Sequence, residues 1–208
     1  MSGKFIVFDG LPGSGKGTMI KKTFEYLCDA SKEFDNILLT DEPTRGPHGR
    51  RIRELFKQQK SAFDLKDEIF NEFVNDRKWH VETIINPLLE KNFLIVGDRY
   101  KYSSIVYQTV QGTEFDVVFN AHKDFLSPTI TFILDLPADV AFNRINVDKS
   151  EKRKESDNFR EIDFIKKLRD GFLDLPKLFP NENIKIIDAS KSKEEVFAQI
   201  LSYLKEIL

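Results

Sequence analysis

The sequence of 208 residues lacks several features that mark whole classes of protein. Its one cysteine, Cys28, cannot form an internal disulfide, and its place on an apolar helical stripe predicts a small core residue in a reducing compartment. No apolar run approaches the roughly 20 residues that a membrane span needs, and the N-terminus shows no signal-peptide pattern. A formal net charge of −2 provides no electrostatic footprint for nucleic acid or a membrane surface. These absences predict a cytoplasmic protein without nucleic-acid or membrane partners.

The most informative segment that is present joins an apolar run to a glycine-rich loop. After residues 5–9 come Gly10, four residues, Gly15 and Lys16, and a helical pattern follows from Met19. Glycine accepts the positive φ angles that turn backbone N–H groups towards an anion, and Lys16 adds a mobile positive charge. The alternative is an ordinary glycine turn between a strand and a helix. The candidate ATP-binding residues of this loop are Gly10, Gly13, Ser14, Gly15, Lys16, Gly17 and Thr18.

Four further apolar runs have the length of buried strands. They cover residues 37–40, 93–96, 130–134 and 184–187. Segments of helical period separate them, and this alternation predicts an α/β fold with a parallel sheet. With the phosphate loop, the expected architecture is a three-layer sandwich of the P-loop NTPase type, with a central five-stranded parallel sheet and helices on both faces. The length fits a single domain over residues 1–208.

Charged residues follow the third predicted strand. Asp98 comes directly after an apolar strand, where a carboxylate commonly helps to place magnesium in nucleotide-binding folds with such a loop. The alternative role for a strand-end aspartate is a helix cap or turn. Arg99, the next residue, would then lie at the same edge of the sheet, where the carboxyl ends of the parallel strands meet. There its guanidinium would fit the oxygens of a transferring phosphate.

A second candidate arises from an arginine on an apolar helical stripe. The stripe, with a spacing of four residues, consists of Ile69, Phe73, Arg77 and Val81. Burying Arg77 unpaired would cost several kcal/mol by rough estimate, so we expect it to meet a carboxylate or a ligand. Asp76, Glu42 or Asp98 would be a structural partner. The functional alternative is a planar ligand that stacks on Phe73 and accepts from Arg77.

One stretch differs in composition from the rest of the chain. Residues 148–160 are strongly hydrophilic and lie between helical segments. This pattern is typical either of a solvated surface helix or of a mobile lid.

Together these segments resemble the thymidylate kinase family, which phosphorylates dTMP with ATP. The resemblance extends over most of the chain, and its most specific part is Asp-Arg-Tyr-Lys-Tyr-Ser-Ser-Ile-Val-Tyr-Gln at residues 98–108. Further matches are the Glu-Pro segment with its following Gly and Ile-Arg within residues 40–53, the Phe-x-x-x-Arg at 73–77, and residues 128–144 and 187–190.

The resemblance implies a role for each matching residue. Those that would contact thymine or its sugar are Phe73, Arg77, Ser104, Tyr107 and Gln108. Those expected near the acceptor phosphate are Arg53 and Arg99, with Arg45 as a substitute for an arginine that the family has at position 41. Those that would organise Mg²⁺ or its waters are Thr18, Glu42 and Asp98. Those that would serve ATP are Lys16 and Thr18 at the phosphates and Arg144 at the adenine. The resemblance also implies a homodimer formed through helices beside the second and third strands.

Departures from the family pattern affect three places. Pro12 stands where the family has an acidic residue in the phosphate loop, and Gly17 intervenes between Lys16 and Thr18. Asp41 stands where the family has an arginine. In the lid, at about residues 148–160, no aspartate–arginine pair matches, so we expect Arg153 or Arg160 to supply the cation that stabilises the transition state.

The sequence therefore predicts an ATP- and Mg²⁺-dependent kinase that converts dTMP to dTDP. The nearest alternative is a nucleoside-monophosphate kinase with a different or broader acceptor, which the altered loop would favour. A second alternative is a non-catalytic nucleotide-binding regulator that keeps the fold without phosphoryl transfer.

Overall fold

A five-stranded parallel sheet forms the centre of the structure, a computed structural model that describes residues 3–58, 65–147 and 162–208. The strands are β1 (Lys4–Gly10), β2 (Asn36–Asp41), β3 (Phe93–Asp98), β4 (Ile130–Asp135) and β5 (Ile184–Asp188). Their order across the sheet is β2-β3-β1-β4-β5, and every neighbouring pair is parallel. All five apolar runs are strands, so the predicted α/β architecture is confirmed.

The helices connect the strands and cover the sheet. They are α1 (Lys16–Ala30), α2 (Pro47–Gln58), α3 (Lys66–His80), α4 (Asn86–Glu90), α5 (Lys101–Val110), α6 (Phe115–His122), α7 (Ala138–Val147), α8 (Ile162–Leu178) and α9 (Lys193–Ile207). The predicted lid at 148–160, with Arg153 and Arg160, lies outside the described residues. Within the described ranges, no helix has the length and apolar character to cross a membrane.

Alternate residues of the central strands face two separate hydrophobic clusters. On one side of β1, Phe5 and Val7 pack in a cluster with Leu168 of α8, whereas Ile6 and Phe8 share a cluster with Met19 of α1. This period of two, with both faces apolar, is what a parallel strand between two helical layers requires. The predicted three-layer sandwich is present in the described part of the chain.

The prediction that Cys28 lies in the core is wrong, because the structure places it on the surface. Helix α1 buries Met19, Thr23 and Leu27, which follow one another at intervals of four residues. Cys28 lies one position beyond Leu27 and is therefore rotated by about 100° around the helix axis. The apolar stripe ends one residue before the cysteine.

The long apolar helical pattern after residue 65 contains an irregularity. A π-helical turn, Val81–Ile85, joins α3 to α4. The stripe predicted from the spacing is nevertheless present, since Ile69, Arg77 and Val81 are buried and Phe73 is half-buried. Arg77 thus lies on the inward side of α3, as predicted.

The carboxyl ends of β1, β2 and β3 bring the predicted site residues to one edge of the sheet. Strand β3 lies between β2 and β1, and the register pairs Asp98 with both Asp41 and Phe8. Residues that follow these strands therefore emerge side by side, although they are separated by 30 to 90 positions along the chain.

Candidate active site

The phosphate loop has the backbone geometry that its glycines predict. Gly10, Gly13 and Gly15 have φ angles of 124°, 78° and 88°, in the region that side chains disfavour. At Gly10 a Cβ would also stand 2.6 Å from the carbonyl oxygen of Leu134 on β4. The Lys16 ammonium donates to the carbonyl oxygens of Gly10 and Leu11, at 3.0 and 2.9 Å. The loop and the first turn of α1 thus present backbone amides and a lysine at the end of β1.

A cavity of about 590 Å³ begins at this loop and extends towards α3 and α5. The predicted residues that line it are Gly13, Gly15, Lys16, Gly17, Thr18, Glu42, Phe73, Arg77, Asp98, Arg99, Ser104, Tyr107 and Gln108. Lining residues without a predicted role are Pro12, Pro43, Phe56, Tyr100, Ser103 and Gln111. The structure therefore brings the candidate residues for both nucleotides into one cavity.

Arg77 is held in this wall by an ion pair with Glu42. Its side chain is 1% exposed and that of Glu42 is 2% exposed, with Nη2 and Oε2 2.5 Å apart. Arg77 Nε also donates to Oε2 at 3.0 Å. Of the three carboxylates proposed as partners from the sequence, Glu42 is the one that Arg77 contacts.

The other side of Glu42 is held by a histidine that the sequence analysis did not identify. Glu42 Oε1 lies 3.0 Å from Nδ1 of His80, and Nε2 of His80 lies 2.7 Å from Oγ1 of Thr40. His80 is 1% exposed, on the turn after Arg77. Both carboxylate oxygens of Glu42 are thus engaged by α3, and its proposed part in metal binding stays a prediction.

Gln108 is a buried amide in the cavity wall. It is 3% exposed and lines the cavity, and among the described residues neither Oε1 nor Nε2 has a hydrogen-bond partner. Leaving a buried amide unpaired costs about 1–3 kcal/mol per polar group. A ligand that offers one donor and one acceptor would satisfy this side chain.

Arg99 lies between the loop and α5. Its backbone has a φ of 71°, its Nη1 donates to Oγ of Ser103 at 3.0 Å, and its guanidinium lies 5.2 Å from the ring centre of Tyr107. Ser103 in turn donates to Oδ1 of Asp9 at 2.6 Å. Arg99 is therefore fixed at the cavity wall, where it can meet phosphate oxygens.

Asp9 links the end of β1 to the start of α5. This fully buried carboxylate accepts from the backbone N–H groups of Gly10 and Ser103, at 2.9 and 3.0 Å. Burial raises its pKa, although Arg99 and Ser103 oppose the change. Through Ser103, Asp9 joins the phosphate loop to Arg99.

Asp98 contributes a carboxylate to the cavity wall. Its Oδ1 is buried without a hydrogen-bond partner among the described residues, and its carboxylate lies beside Arg99 in the cavity wall. Thr18, with an exposed side chain, lines the same cavity. These two residues provide the hard oxygen atoms that Mg²⁺ prefers.

Several predicted residues lie apart from the cavity wall that the described residues form. Arg53 donates to the backbone carbonyl oxygens of Pro43, Thr44 and Gly49 and lies 3.6 Å from Asp41. Arg45 is exposed and does not pair with Asp41 in any described contact. Their contacts with the acceptor phosphate stay predictions.

Two other predicted residues support the loop from outside the cavity lining. Arg144, on α7, lies with Nη1 3.4 Å from the carbonyl oxygen of Gly13. Ser14 is buried within the loop itself, 4% exposed. Arg144 is thus close to the loop end at which the resemblance places the adenine, but its contact is with protein backbone.

Two residues behind the cavity have polar contacts that the sequence analysis missed. His122 Nδ1 lies 2.8 Å from Nη1 of Arg77, although the two are 45 positions apart. Asp76 accepts from the backbone N–H and Oγ1 of Thr44, at 2.7 and 2.5 Å. A spacing rule could not have found His122, since α6 and α3 are connected only through the fold.

Comparison of the sequence with known proteins identifies a family of relatives. The thymidylate kinase family model matches residues 8–200. A probable thymidylate kinase of Thermococcus kodakarensis is 34% identical over 98% of both chains. A thymidylate kinase of Brachyspira hyodysenteriae is 34% identical over 99% of this chain and 95% of its own. Another, of Aster yellows witches'-broom phytoplasma, is 36% identical over 98% and 97%. The resemblance drawn from the motifs is confirmed, and the two alternative functions are not favoured.

Proposed function

Because the chain belongs to the thymidylate kinase family, we propose that it transfers the γ-phosphoryl group of ATP to the phosphate of dTMP, giving ADP and dTDP. The observation that supports the placement of dTMP is the buried amide of Gln108 in the cavity wall, which has no hydrogen-bond partner among the described residues. The phosphate loop at the other end of the same cavity supports the placement of ATP.

Thymine suits the chemistry of the cavity end formed by α3 and α5. The amide of Gln108 has one acceptor and one donor group, and the edge of thymine offers an N3–H donor beside a carbonyl acceptor. Phe73 lines the cavity and gives a ring on which the base can stack. Tyr107 also lines it, with its ring centre 5.2 Å from the Arg99 guanidinium, and would lie near the sugar. Arg77 and Ser104 complete the polar wall around the base.

Phosphoryl transfer needs positioning and charge neutralisation more than acid–base chemistry. A phosphate oxygen of dTMP is already ionised at neutral pH, so the attack on the γ-phosphorus needs no general base. Lys16 and the loop amides would hold the phosphates of ATP, and Arg99 would hold the acceptor phosphate in line. Arg153 or Arg160 would add a cation from the lid, which should also exclude water.

Asp98 and Thr18 are the residues that fit a magnesium ion. Within the part of the chain that the structure describes, the buried Oδ1 of Asp98 has no hydrogen-bond partner, and Thr18 lines the same cavity. In the described ranges no group of three or more His, Cys, Asp or Glu side chains could form a metal cage. This agrees with an ion whose remaining ligands are phosphates and water. Mg²⁺ bound there would neutralise charge on the ATP phosphates.

The wider setting follows from the same family membership. We propose that the enzyme works in the cytoplasm, since its nucleotide substrates are small soluble molecules. We also propose a homodimer, in which helices beside β2 and β3 form the contact. Light scattering of the purified protein measures its mass in solution, and a mass equal to one chain would contradict the proposed homodimer.

The function is tested by acceptor-dependent ADP release. Purified protein with ATP and Mg²⁺ is mixed singly with dTMP, dUMP, dGMP, dCMP, AMP or UMP. We expect rapid release with dTMP and weaker release with dUMP. A preference for another acceptor would overturn the thymine assignment, and binding of ATP without release by any acceptor would overturn the kinase assignment.

A further inference from the structure

The guanidinium of Arg77 has almost no hydrogen-bonding freedom left. Its acceptors come from three segments of the chain: Glu42 after β2, Ser104 on α5 and His122 on α6. An arginine has five N–H groups. Nε–H and one Nη2–H point to Glu42, the other Nη2–H points to Ser104 Oγ at 2.9 Å, and one Nη1–H points to Nδ1 of His122 at 2.8 Å. Among the contacts described, a single Nη1–H remains.

His122 can accept the hydrogen bond from Arg77 only while its imidazole is neutral. Its Nδ1 takes a hydrogen bond from Arg77, which has no acceptor atom, so the ring proton must reside on Nε2. The residue is fully buried, and burial, together with the positive charges of Arg77 and Lys101, lowers the pKa of His122 to about 2. The imidazole therefore stays neutral throughout the range in which an enzyme works.

Two aromatic rings pack against this imidazole and restrict its orientation. The ring of Phe70 meets it edge-on, with ring centres 6.0 Å apart and an angle of 84° between the planes. The ring of Phe125 lies at the same centre distance with a tilt of 33°. His122 does not line the cavity, so any influence on a ligand there must pass through Arg77.

We propose that His122 is a positioning residue for base selectivity: by holding one Nη1–H of Arg77, it fixes the other as the donor that the cavity presents to the 4-position of a pyrimidine. This inference rests on the proposed binding of thymine beside Arg77. Thymine carries a carbonyl acceptor at that position and accepts the hydrogen bond. Cytosine carries an amino donor there and meets a second donor, which the site rejects because both N–H groups would be left unpaired.

Two amide substitutions of His122 separate this role from simple filling of space. In His122→Asn the side-chain oxygen can occupy the place of Nδ1 and accept from Arg77. In His122→Gln the amide reaches the place of Nε2 instead, so it is not placed to accept from Arg77. Both are polar and uncharged. His122→Leu removes the acceptor while keeping apolar bulk and serves as a second variant without an acceptor. Phe70→Leu alters packing against the same imidazole and removes none of the described hydrogen bonds of Arg77, so it serves as the packing control.

The measurement is kcat and KM for dTMP and for dCMP, with folding of each variant checked by its thermal transition. We expect His122→Gln and His122→Leu to lower the dTMP to dCMP ratio of kcat/KM by about tenfold or more, the size of one lost charge-assisted hydrogen bond. The change should appear in KM for dTMP, with kcat within about threefold. His122→Asn and Phe70→Leu should keep the ratio within about threefold.

The possible outcomes distinguish this inference from the proposed function. A wild-type enzyme that does not prefer dTMP to dCMP would overturn the thymine assignment and this role together. A wild-type preference for dTMP that persists in both His122→Gln and His122→Leu would overturn the role of His122 alone. Equal loss of selectivity in His122→Asn and His122→Gln would do the same, because the position of the acceptor would then have no effect.

Discussion

At the scale of single residues, the site depends on a charge pair that is almost completely removed from water. Arg77 and Glu42 have side chains that are 1% and 2% exposed, and each has further polar partners from other segments. Desolvating two charges is expensive, and only their mutual attraction and the added hydrogen bonds offset it. The pair is therefore more important for fixing the cavity wall than for net stability.

Removing one member of this pair should be more harmful than removing both. We expect Arg77→Met to lower the free energy of unfolding by about 3–5 kcal/mol, because it leaves the buried Glu42 carboxylate without the arginine that neutralises its charge. The double variant Arg77→Met/Glu42→Leu should recover most of that loss. Urea denaturation measures both values, and a double variant as unstable as the single one would show that the pair itself is strongly stabilising.

His122 should make stability depend on pH in a defined direction. In the unfolded chain a histidine takes up a proton below about pH 6.5, whereas burial beside Arg77 and Lys101 lowers the pKa of His122 in the folded protein to about 2. The unfolded state therefore binds more protons between these values, and stability is lost as the pH falls through that window.

Comparison with His122→Asn isolates this contribution, since all other groups titrate in both proteins. Between pH 6.5 and 5 the wild type should lose about 1.6 kcal/mol more than the variant. Urea denaturation at a series of pH values gives the difference. Parallel pH profiles for the two proteins would mean that His122 becomes protonated in the folded state.

At the scale of structural elements, the end of β1, the loop and the start of α1 form one unit with two different demands on glycine. Gly10 has a φ of 124° and its missing Cβ would stand 2.6 Å from a β4 carbonyl oxygen. Gly15 has a φ of 88°, and a Cβ there would meet nothing within 4 Å. The first glycine is required by sheet packing as well as by φ, the second by φ alone.

The two positions should therefore respond differently to alanine. Gly15→Ala should cost about 1–2 kcal/mol from its left-handed conformation. Gly10→Ala should cost at least about 1 kcal/mol more, because β1 and β4 would have to separate to admit the methyl group. Equal losses in thermal or urea unfolding would show that β4 gives way without cost.

The sequence predicts a helix or strand well where the spacing of its apolar residues is regular over the whole element. The five apolar runs are bounded by polar residues and coincide with the five strands, so the prediction of their positions is confirmed. The π-helical turn Val81–Ile85 left no mark on the apolar spacing. Cys28 was misplaced because an apolar stripe does not reveal where its edge falls, and one residue of rotation separates the buried Leu27 from the surface.

At the scale of the whole molecule, the cavity exists because three parallel strands end at the same edge of the sheet. The phosphate loop, Glu42 and Asp98 follow β1, β2 and β3, and α3 and α5 then close the other walls. The rim could be predicted from strand-end residues, and the motif at 98–108 indicated the residues of α5. Contacts between distant helices, such as those of Arg77 with His122, could not be predicted, because no sequence pattern relates positions that meet only in the folded chain.

The central claim is that the cavity end formed by Phe73, Arg77 and Gln108 binds thymine, with the phosphate of dTMP directed towards Arg99. A crystal structure of the enzyme with dTMP and ADP tests it most directly. We predict that Gln108 pairs with the N3 edge of the base, that the base stacks on Phe73, and that Arg99 contacts the dTMP phosphate. A base bound elsewhere, with the Gln108 amide still unpaired or contacting a phosphate, would contradict the account.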